Sequence, residues 1–230
     1  MGDKVAFLSD MNPDITHLLT ADGSSTLYSP AFGECYHSRH GAVQESMHVF
    51  IGMGLTKMVK DTVSIFEMGF GTGLNTLLTL LNKGDRKISY TGIEAFPLPP
   101  QITEDLNYTQ EIRGDRVGEI FQKIHHADWE QQVEIEEGFN LKKIHGVLED
   151  FNPNDRFDLI YFDAFAPDAQ PELWTQEIFE KLYDLSNPGA VFVTYCAKGV
   201  VRRGLMAAGF EMERIPGPPG KREMLRGTRR

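Results

Sequence analysis

The stretch Val63-Ser-Ile-Phe-Glu-Met-Gly-Phe-Gly-Thr-Gly-Leu-Asn75 joins an apolar run to an acid and three alternate glycines. The apolar run is typical of a buried β-strand, and a helical pattern resumes after Gly73. Alternate glycines let the backbone turn sharply, so a ligand can lie directly against main-chain N–H groups. The stretch therefore predicts the first strand, tight turn and first helix of a nucleoside-binding α/β fold.

The spacing of the glycines narrows the choice of ligand. A dinucleotide fingerprint requires G-x-G-x-x-G, and counting from Gly69 places Leu74 where the third glycine belongs. A phosphate loop is also excluded, because no Lys follows the glycines. The remaining pattern, E-x-G-x-G-x-G, resembles the first motif of class I methyltransferases, which bind S-adenosylmethionine. An ordinary glycine-rich turn between strand and helix is the alternative.

An acid also ends the second predicted strand, residues 88–93. Glu94 there can accept hydrogen bonds from both ribose hydroxyls of a nucleoside, although a surface acid at a strand end is common. Class I methyltransferases usually carry an acid after the third-strand glycine, where this chain has Val147, so the adenine contact could come from Glu149, Asp150 or backbone instead. The resemblance implies these cofactor-binding residues: Glu67, Gly69, Phe70, Gly71, Thr72, Gly73, Asn75, Glu94, Ala95, Phe96, Val147 and Leu148.

Composition limits the remaining possibilities. The 230 residues suffice for one α/β domain with a full core and at most a small appendage. Two cysteines, Cys35 and Cys196, give no disulfide framework and suit a reducing compartment. No metal-ligand cluster is visible, and the N-terminus has no long apolar run that would serve as a secretion signal or membrane span. We expect a cytoplasmic protein with no metal and no membrane partner.

Charge is unevenly distributed along the chain. The net charge is −10, yet residues 198–230 hold nine Lys or Arg against three acids. Salt screens exposed charges beyond about 10 Å, so a local basic face on an acidic protein can still bind phosphates. A solvated C-terminal hairpin would have the same composition. The candidates for phosphate contacts are Lys198, Arg202, Arg203, Lys221 and Arg222.

The pattern of turns and apolar residues predicts two parts. Residues 20–40 predict a hairpin that places Tyr28 and Tyr36 on one side, and residues 41–60 predict an amphipathic helix that covers the sheet. We expect residues 1–60 to form this N-terminal hairpin and lid helix. Residues 61–230 then form the cofactor-binding methyltransferase core, and both parts belong to one compact domain.

The core pattern predicts an α/β, Rossmann-like class I methyltransferase fold. Its central sheet is mostly parallel, with helices on both faces and a C-terminal antiparallel hairpin formed by residues 211–214 and 224–228. Residues 101–135 are expected to be helical after a start at Pro100. Further strands are expected within 141–151, 156–163 and 190–195, and further helices at 171–185 and 199–208.

A second motif, Asp163-Ala-Phe-Ala-Pro-Asp-Ala-Gln-Pro-Glu-Leu-Trp-Thr175, has the pattern D-x-F-A-P-x-x-x-P-x-x-W-T. With V-R-R-G-L at 201–205, A-G-F at 208–210 and K-R-E-M-L at 221–225, it resembles the methyltransferase domain of the bifunctional tRNA 5-methylaminomethyl-2-thiouridine biosynthesis proteins of the MnmC type. The resemblance covers nearly the whole chain from the Tyr28 hairpin onward.

This resemblance implies a reaction and a partner. The family methylates the primary amine of 5-aminomethyl-2-thiouridine at the wobble position, in the anticodon stem-loop of tRNA, with S-adenosylmethionine. Many members carry a C-terminal flavin-dependent oxidase that removes a carboxymethyl group beforehand. The chain shows no G-x-G-x-x-G for a flavin. The resemblance therefore implies a stand-alone methyltransferase that depends on other enzymes for its aminomethyl precursor.

The chemistry of the amine suggests roles for the second motif. A primary alkyl amine has a pKa of about 10.4, so near neutral pH it is protonated and not nucleophilic. Asp163, at the edge of the fourth strand, could take up a proton or orient the amine; capping the following turn is the alternative. Aromatic side chains can stack an extruded base, although each also suits a core position. The substrate-binding candidates here are Tyr28, Tyr36, Phe165, Pro167 and Trp174.

Two other functions fit part of the sequence. An aminopropyltransferase-like or other alkyltransferase acting on a free small amine would also use an acidic pocket with Asp163, but it gains nothing from nine Lys or Arg near the C-terminus. A non-catalytic module that binds tRNA or cofactor could keep the glycine turn. Asp163 beside an intact turn speaks against this second alternative.

Overall fold

The computed structural model describes residues 15–230, and residues 1–14 of the predicted N-terminal segment lie outside them. The described residues form two sheets. Their strands are β1 (Thr16–Leu19), β2 (Ser25–Ser29), β3 (Glu34–Cys35), β4 (Thr62–Met68), β5 (Lys87–Glu94), β6 (Gln132–Glu136), β7 (Phe139–His145), β8 (Phe157–Phe162), β9 (Ser186–Thr194), β10 (Phe210–Pro216) and β11 (Glu223–Arg229).

Helices connect most of these strands. The α-helices are α1 (Ala42–Ser46), α2 (Leu74–Leu81), α3 (Pro100–Glu104), α4 (Tyr108–Glu111), α5 (Val117–His126), α6 (Gln176–Leu185) and α7 (Gly199–Ala207). Helix α1 continues as a π-helix, Met47–Gly52, and 3-10 turns lie at Leu55–Lys57, Leu148–Asp150 and Pro171–Trp174. Thr175 caps α6, since its hydroxyl accepts a hydrogen bond from the Ile178 backbone N–H.

The large sheet has eight strands in the order β10-β11-β9-β8-β4-β5-β7-β6. Strands β9, β8, β4, β5 and β7 run parallel, and β11 is antiparallel to both β9 and β10. The predicted fold class and closing hairpin are therefore confirmed. Strand β4 pairs with β5 on one side and β8 on the other. Ligands of open α/β sheets bind at such a reversal of strand order, beyond the carboxyl ends of the strands.

Apolar side chains cover both faces of this sheet. Because successive residues of a strand face opposite sides, Ile65 of β4 joins the cluster under α2, whereas Phe66 joins the cluster under α6 and α7. All six residues of β8 are buried, as expected for a central parallel strand. Each fully buried Leu or Phe contributes about 1.5–3 kcal/mol, so this double layer fixes the positions of the strand ends.

Two helix predictions need correction. Residues 41–60 do not form one amphipathic helix, because the helix ends at Gly52 and a 3-10 turn follows Gly54; glycine disfavours a continuous helix. Residues 101–135 are not helical throughout, since 132–136 form β6, antiparallel to β7. In that strand Val133 is partly buried and Ile135 is buried. The alternation of apolar and polar residues that is typical of a strand was therefore present in the sequence, but its polar positions are mostly acidic.

The N-terminal strands form the predicted hairpin, extended by β1, and several hydrogen bonds attach it to the core. Asn107 Oδ1 accepts from the Ser25 backbone N–H at 2.7 Å, and Asn107 Nδ2 donates to the Gly23 carbonyl at 2.8 Å. Asp22 in the same hairpin accepts from the Gln44 backbone N–H at 3.0 Å at the start of α1. The hairpin is thereby fixed above the carboxyl ends of the parallel strands.

Candidate functional site

The glycine turn after β4 has left-handed backbone angles at all three glycines: φ is +87° at Gly69, +49° at Gly71 and +73° at Gly73. A Cβ at Gly69 would lie 2.6 Å from the carbonyl oxygen of Asp163, so the ends of β4 and β8 can approach this closely only with glycine. The backbone N–H groups of Gly69 and Phe70 both donate to the Ile93 carbonyl at 3.1 Å. The turn is therefore held between the ends of β5 and β8.

Glu94 closes the turn from the end of β5. Its two carboxylate oxygens accept from the backbone N–H groups of Gly71 and Phe96, each at 2.9 Å. Burial raises the pKa of Glu94 above its ordinary value, although these backbone donors oppose the shift. The carboxylate also borders the adjacent cavity. Ribose binding by Glu94 remains a prediction, consistent with this position.

Asn75, in the first turn of α2, joins two carboxylates. Its Nδ2 donates to Glu67 Oε1 at 2.8 Å and to Asp163 Oδ2 at 2.8 Å. Burial raises the pKa of Glu67 to about 8. Burial, with the charge of Glu45, raises the pKa of Asp163 to about 7, while the bond from Asn75 opposes the shift. Asp163 therefore changes charge near neutral pH, as a general acid or base must.

A cavity of about 450 Å³ opens beside the turn. This volume lies within the usual range for small-molecule sites. Four predicted cofactor-binding residues, Glu67, Gly73, Val147 and Leu148, lie outside the cavity wall. Glu67 and Leu148 are fully buried, and Gly73 packs against His125. The structure brings together at the wall the predicted residues Gly69, Phe70, Gly71, Thr72, Asn75, Glu94, Ala95, Phe96, Tyr28, Tyr36, Asp163, Phe165 and Lys221.

An ion pair also borders the cavity. Lys221 Nζ lies 2.9 Å from Glu45 Oε1, and Glu45 Oε2 accepts from the Ser38 backbone N–H at 2.8 Å. The Lys221 ammonium stands 3.8 Å from the centroid of the Tyr195 ring, a close cation–π contact. The structure places Lys221 at the cavity wall, and its predicted contact with phosphate stays a prediction.

Four aromatic rings form a contiguous part of the cavity wall. Phe165 stacks on Phe32 with centroids 4.4 Å apart and meets the edge of Tyr36 at 5.1 Å. Phe96 meets the edge of Phe32 at 5.7 Å. These four residues form what we call the aromatic rim. Trp174 lies outside the rim: its Nε1 donates to the Phe165 carbonyl at 2.8 Å, so it supports the loop that carries Phe165.

The remaining predicted substrate residues lie outside the cavity wall. Lys198 forms an ion pair with Asp168 at 2.6 Å, in the loop that also contains Pro167. Arg203 and Arg222 are exposed, and Arg202 is partly buried on α7. Several other C-terminal cations pair with acids across the hairpin, as Arg226 does with Glu213 at 2.6 Å. The charge excess of residues 198–230 is therefore partly neutralised.

The sequence-based prediction missed several residues of this site, among them Glu45, Phe32 and Tyr195. Glu45 is an acid in the first turn of α1 that is only 7% exposed. A charged residue on the apolar side of an amphipathic pattern was the available signal. Phe32 follows Pro30 in the predicted turn, and only tertiary packing against Phe165 identifies it. Tyr195 ends the predicted fifth strand at the ligand-binding edge, so its position was the signal.

Within residues 15–230, no three His, Cys, Asp or Glu side chains come together as a potential metal site. None of the helices in that part of the chain combines the length and apolar composition needed to cross a membrane.

Comparison with known proteins identifies relatives. The tRNA 5-methylaminomethyl-2-thiouridine biosynthesis bifunctional protein MnmC of Methylobacillus flagellatus is 31% identical over 215 residues, covering 87% of this chain and 33% of that protein. The protein of the same name from Pseudomonas aeruginosa is 32% identical over 228 residues, with the same coverage of 87% and 33%. The chain thus spans about a third of the length of these curated relatives.

A solved structure and a family model agree with these relatives. The crystal structure of MNMC2 from Aquifex aeolicus shares the fold, with a TM-score of 0.79 and 24% identity over 95% of this chain and 72% of that chain. The model of a family described as S-adenosyl-L-methionine-dependent methyltransferase matches residues 114–230. That match covers half of the chain, including β8 and Asp163. The chain therefore belongs to this family of S-adenosyl-L-methionine-dependent methyltransferases.

Proposed function

We propose that this chain methylates the primary amine of 5-aminomethyluridine, or of its 2-thio form, at the wobble position of tRNA. The names of the MnmC relatives support this substrate. The observation that carries the proposal is Asp163, held by Asn75 at the wall of a cavity that the glycine turn also borders. A base for the amine and a place for the methyl donor then lie in one cavity.

The residues around the turn fit S-adenosylmethionine. Backbone of Gly69 and Gly71 borders the cavity, and side chains at these positions would meet Asp163 and Tyr36. Asn75 Oδ1 is buried and has no hydrogen-bond partner among residues 15–230, so it is suited to accept from the ammonium group of the cofactor's amino-acid end. Glu94 would accept from the ribose hydroxyls. When bound, the cofactor supplies an electrophilic methyl group on a sulfonium.

Asp163 would act on the amine of the substrate. The amine arrives as an ammonium ion, and its nitrogen becomes nucleophilic only when a proton leaves. Oδ2 of Asp163 accepts from Asn75, so we assign proton uptake to Oδ1. Asp163 would hold this proton while the neutral nitrogen accepts the methyl group, and would then release it to solvent.

The pKa values of donor and acceptor decide whether this transfer is feasible. A free alkyl ammonium has a pKa of about 10.4, and Asp163 has one of about 7. A gap of about three units corresponds to about 4 kcal/mol. The value for Asp163 already includes its burial, and burial of the amine lowers the pKa of its ammonium form, so the remaining gap becomes smaller. Such a step is accessible to an enzyme with an ordinary turnover rate.

The wider setting of the proposal follows from the same chemistry. The partner would be the anticodon stem-loop of tRNA, with the wobble base extruded toward the aromatic rim, because an enzyme must take a base out of the stack to reach it. The reaction needs neither metal nor flavin in this chain. It requires another enzyme that makes the aminomethyl precursor, and it would take place in the cytoplasm.

The experiment uses labelled S-adenosylmethionine and tRNA from cells that lack the activity, followed by nucleoside analysis. We expect label in 5-methylaminomethyl-2-thiouridine or its oxygen counterpart, and a loss of transfer in Asp163→Ala. Free polyamines form a second arm, because the acidic cavity would also accept a small amine. Transfer to polyamine but not to tRNA would overturn the proposed substrate, and binding without any transfer would indicate a non-catalytic module.

A further inference from the structure

Glu45 and Lys221 form a partly buried ion pair that the proposed chemistry leaves unused. The Glu45 side chain is 9% exposed and that of Lys221 is 34% exposed. Both side chains border the cavity that contains Asp163, and the charges of both act on the Asp163 carboxyl. Lys221 lies in the connection between β10 and β11, so the pair joins the C-terminal hairpin to α1.

The surroundings of the Lys221 ammonium are specific for a cation. The Glu45 carboxylate lies 2.9 Å from the Lys221 nitrogen, which also lies over the face of the Tyr195 ring, 3.8 Å from its centroid. A carboxylate and an aromatic face together attract alkylammonium groups. Tyr195 is fixed, because its hydroxyl donates to the carbonyl of Ala164 at 2.9 Å, next to Asp163 in sequence. This cation position therefore adjoins the proposed base.

The substrate in the proposed function carries a group of the same chemistry, since a 5-aminomethyl substituent arrives as a primary alkylammonium. Lys221 has the same functional group on a flexible four-carbon stem. We propose that Glu45 and Tyr195 form the subsite that binds the substrate's ammonium group, and that Lys221 occupies this subsite until the substrate displaces it. This inference rests on the proposed function, because it specifies how the acceptor amine is recognised.

The charge balance of the cavity favours the replacement of Lys221 by the substrate's ammonium group. The wall carries four carboxylates, Glu34, Glu45, Glu94 and Asp163, against two cations, Arg39 and Lys221. Departure of Lys221 would leave Glu45 buried without its counter-ion, which is unfavourable. An incoming ammonium restores the pair, whereas an uncharged uridine substituent does not. The subsite thus distinguishes tRNA that is ready for methylation from tRNA that is not.

The test compares two tRNAs that differ only at the wobble base, one with 5-aminomethyluridine and one with unmodified uridine. Affinities are measured with S-adenosylhomocysteine present, so that no turnover occurs. We expect wild type to prefer the amine-bearing tRNA by about tenfold or more, the size of one charged hydrogen bond. Glu45→Gln should lose this preference and keep its affinity for the unmodified tRNA. Equal weakening of both tRNAs, or a retained preference, would overturn the inference.

Two further variants separate recognition from folding. Lys221→Met removes the resting occupant, so it should increase the preference for the amine-bearing tRNA; a decrease would contradict displacement. Glu45→Asp keeps the charge and should retain part of the preference even if Glu45→Gln does not fold. Glu213→Gln, which breaks the exposed pair with Arg226, is the matched control and should behave as wild type. If wild type transfers no methyl group to amine-bearing tRNA, the proposed function itself fails, and this is visible before any variant is measured.

Discussion

Asn75 Nδ2 donates to Asp163 Oδ2 across 2.8 Å, and the same amide nitrogen lies 2.8 Å from Glu67 Oε1. One side chain from the first turn of α2 therefore orients two carboxylates that come from the ends of neighbouring strands. Because an amide cannot lose a proton, it holds this geometry in either charge state of Asp163. The glycine turn and Asp163 are thus parts of one hydrogen-bonded unit.

Replacing Asn75 by Leu should move the acid limb of the pH profile of kcat/KM. Asp163 loses a donor that favours its ionised form, so its pKa rises, by about one unit for a hydrogen bond to a charged group. More alkaline conditions are then needed for activity. Asn82→Leu is the control, because Asn82 lies just beyond the other end of α2, where its side chain donates to the Leu78 carbonyl and to Met47 Sδ rather than to a carboxylate. An acid limb that does not move in Asn75→Leu would contradict this role.

Asp163→Asn should lower kcat by about 10²- to 10⁴-fold, the usual contribution of a positioned base. The same variant should be more stable than wild type at pH 8. Asp163 has a pKa of about 7 in the folded state and 3.8 as the ordinary value, so folded wild type loses stability as pH rises between these values. We expect a gain of about 1–3 kcal/mol at pH 8, since a shift of one unit is worth about 1.4 kcal/mol.

Thermal unfolding at two pH values checks this expectation. Near pH 4, wild-type Asp163 is protonated in the folded state, so the stability difference between wild type and Asp163→Asn should nearly vanish. A variant that is less stable than wild type at both pH values would show that the carboxylate is structural. It would then cap its turn, which is the alternative noted from sequence.

Gly71→Ala should fold and yet bind S-adenosylmethionine weakly. A Cβ at Gly71 would lie 3.2 Å from the Tyr36 ring and at the wall of the cavity. Gly84→Ala is the matched control, because Gly84 has a similar φ of +60° and no atom within 4 Å of an added Cβ. Both variants carry a similar backbone cost of about 1 kcal/mol. Calorimetric titration with the cofactor should distinguish them, and equal affinities would place the cofactor away from the turn.

The parts of the site that sequence could predict are those encoded locally. The glycines and Glu94 lie at strand ends, and the order of strands in an α/β fold brings such ends to one edge. Asp163 was found in the same way. These predictions needed only the period of each strand and the positions of its polar ends.

The parts that sequence could not predict depend on tertiary contacts. Glu45 and Lys221 are 176 residues apart and meet only because the C-terminal hairpin packs against α1. Counting charges made Lys221 a candidate for phosphate contact, but composition cannot show that its side chain borders the cavity and pairs with Glu45. Strand β6 was missed for a related reason: its acids suggested an exposed helix, while its pairing with β7 decides its structure.

Phe32→Leu should weaken binding of amine-bearing tRNA and leave cofactor affinity unchanged. The stacked ring of Phe165 loses its aromatic neighbour, and base stacking on an aromatic side chain is worth about 1–3 kcal/mol. The matched control is Phe151→Leu, which removes a stacked ring 5.2 Å from Phe66, outside the cavity wall. If both variants bind tRNA alike, the aromatic rim only closes the cavity and does not contact the base.

Arg203→Gln and Arg222→Gln should each flatten the salt dependence of tRNA binding. Both side chains are exposed, and a cation that contacts one phosphate adds about 0.7–0.9 to the slope of log K against log[salt]. Each variant should lower that slope by this amount and weaken modified and unmodified tRNA equally, because phosphates carry no base identity. Lys123→Gln is the control, since Lys123 pairs with Glu136 at 2.7 Å on α5. An unchanged slope in both arginine variants would place the tRNA backbone on another face of the protein.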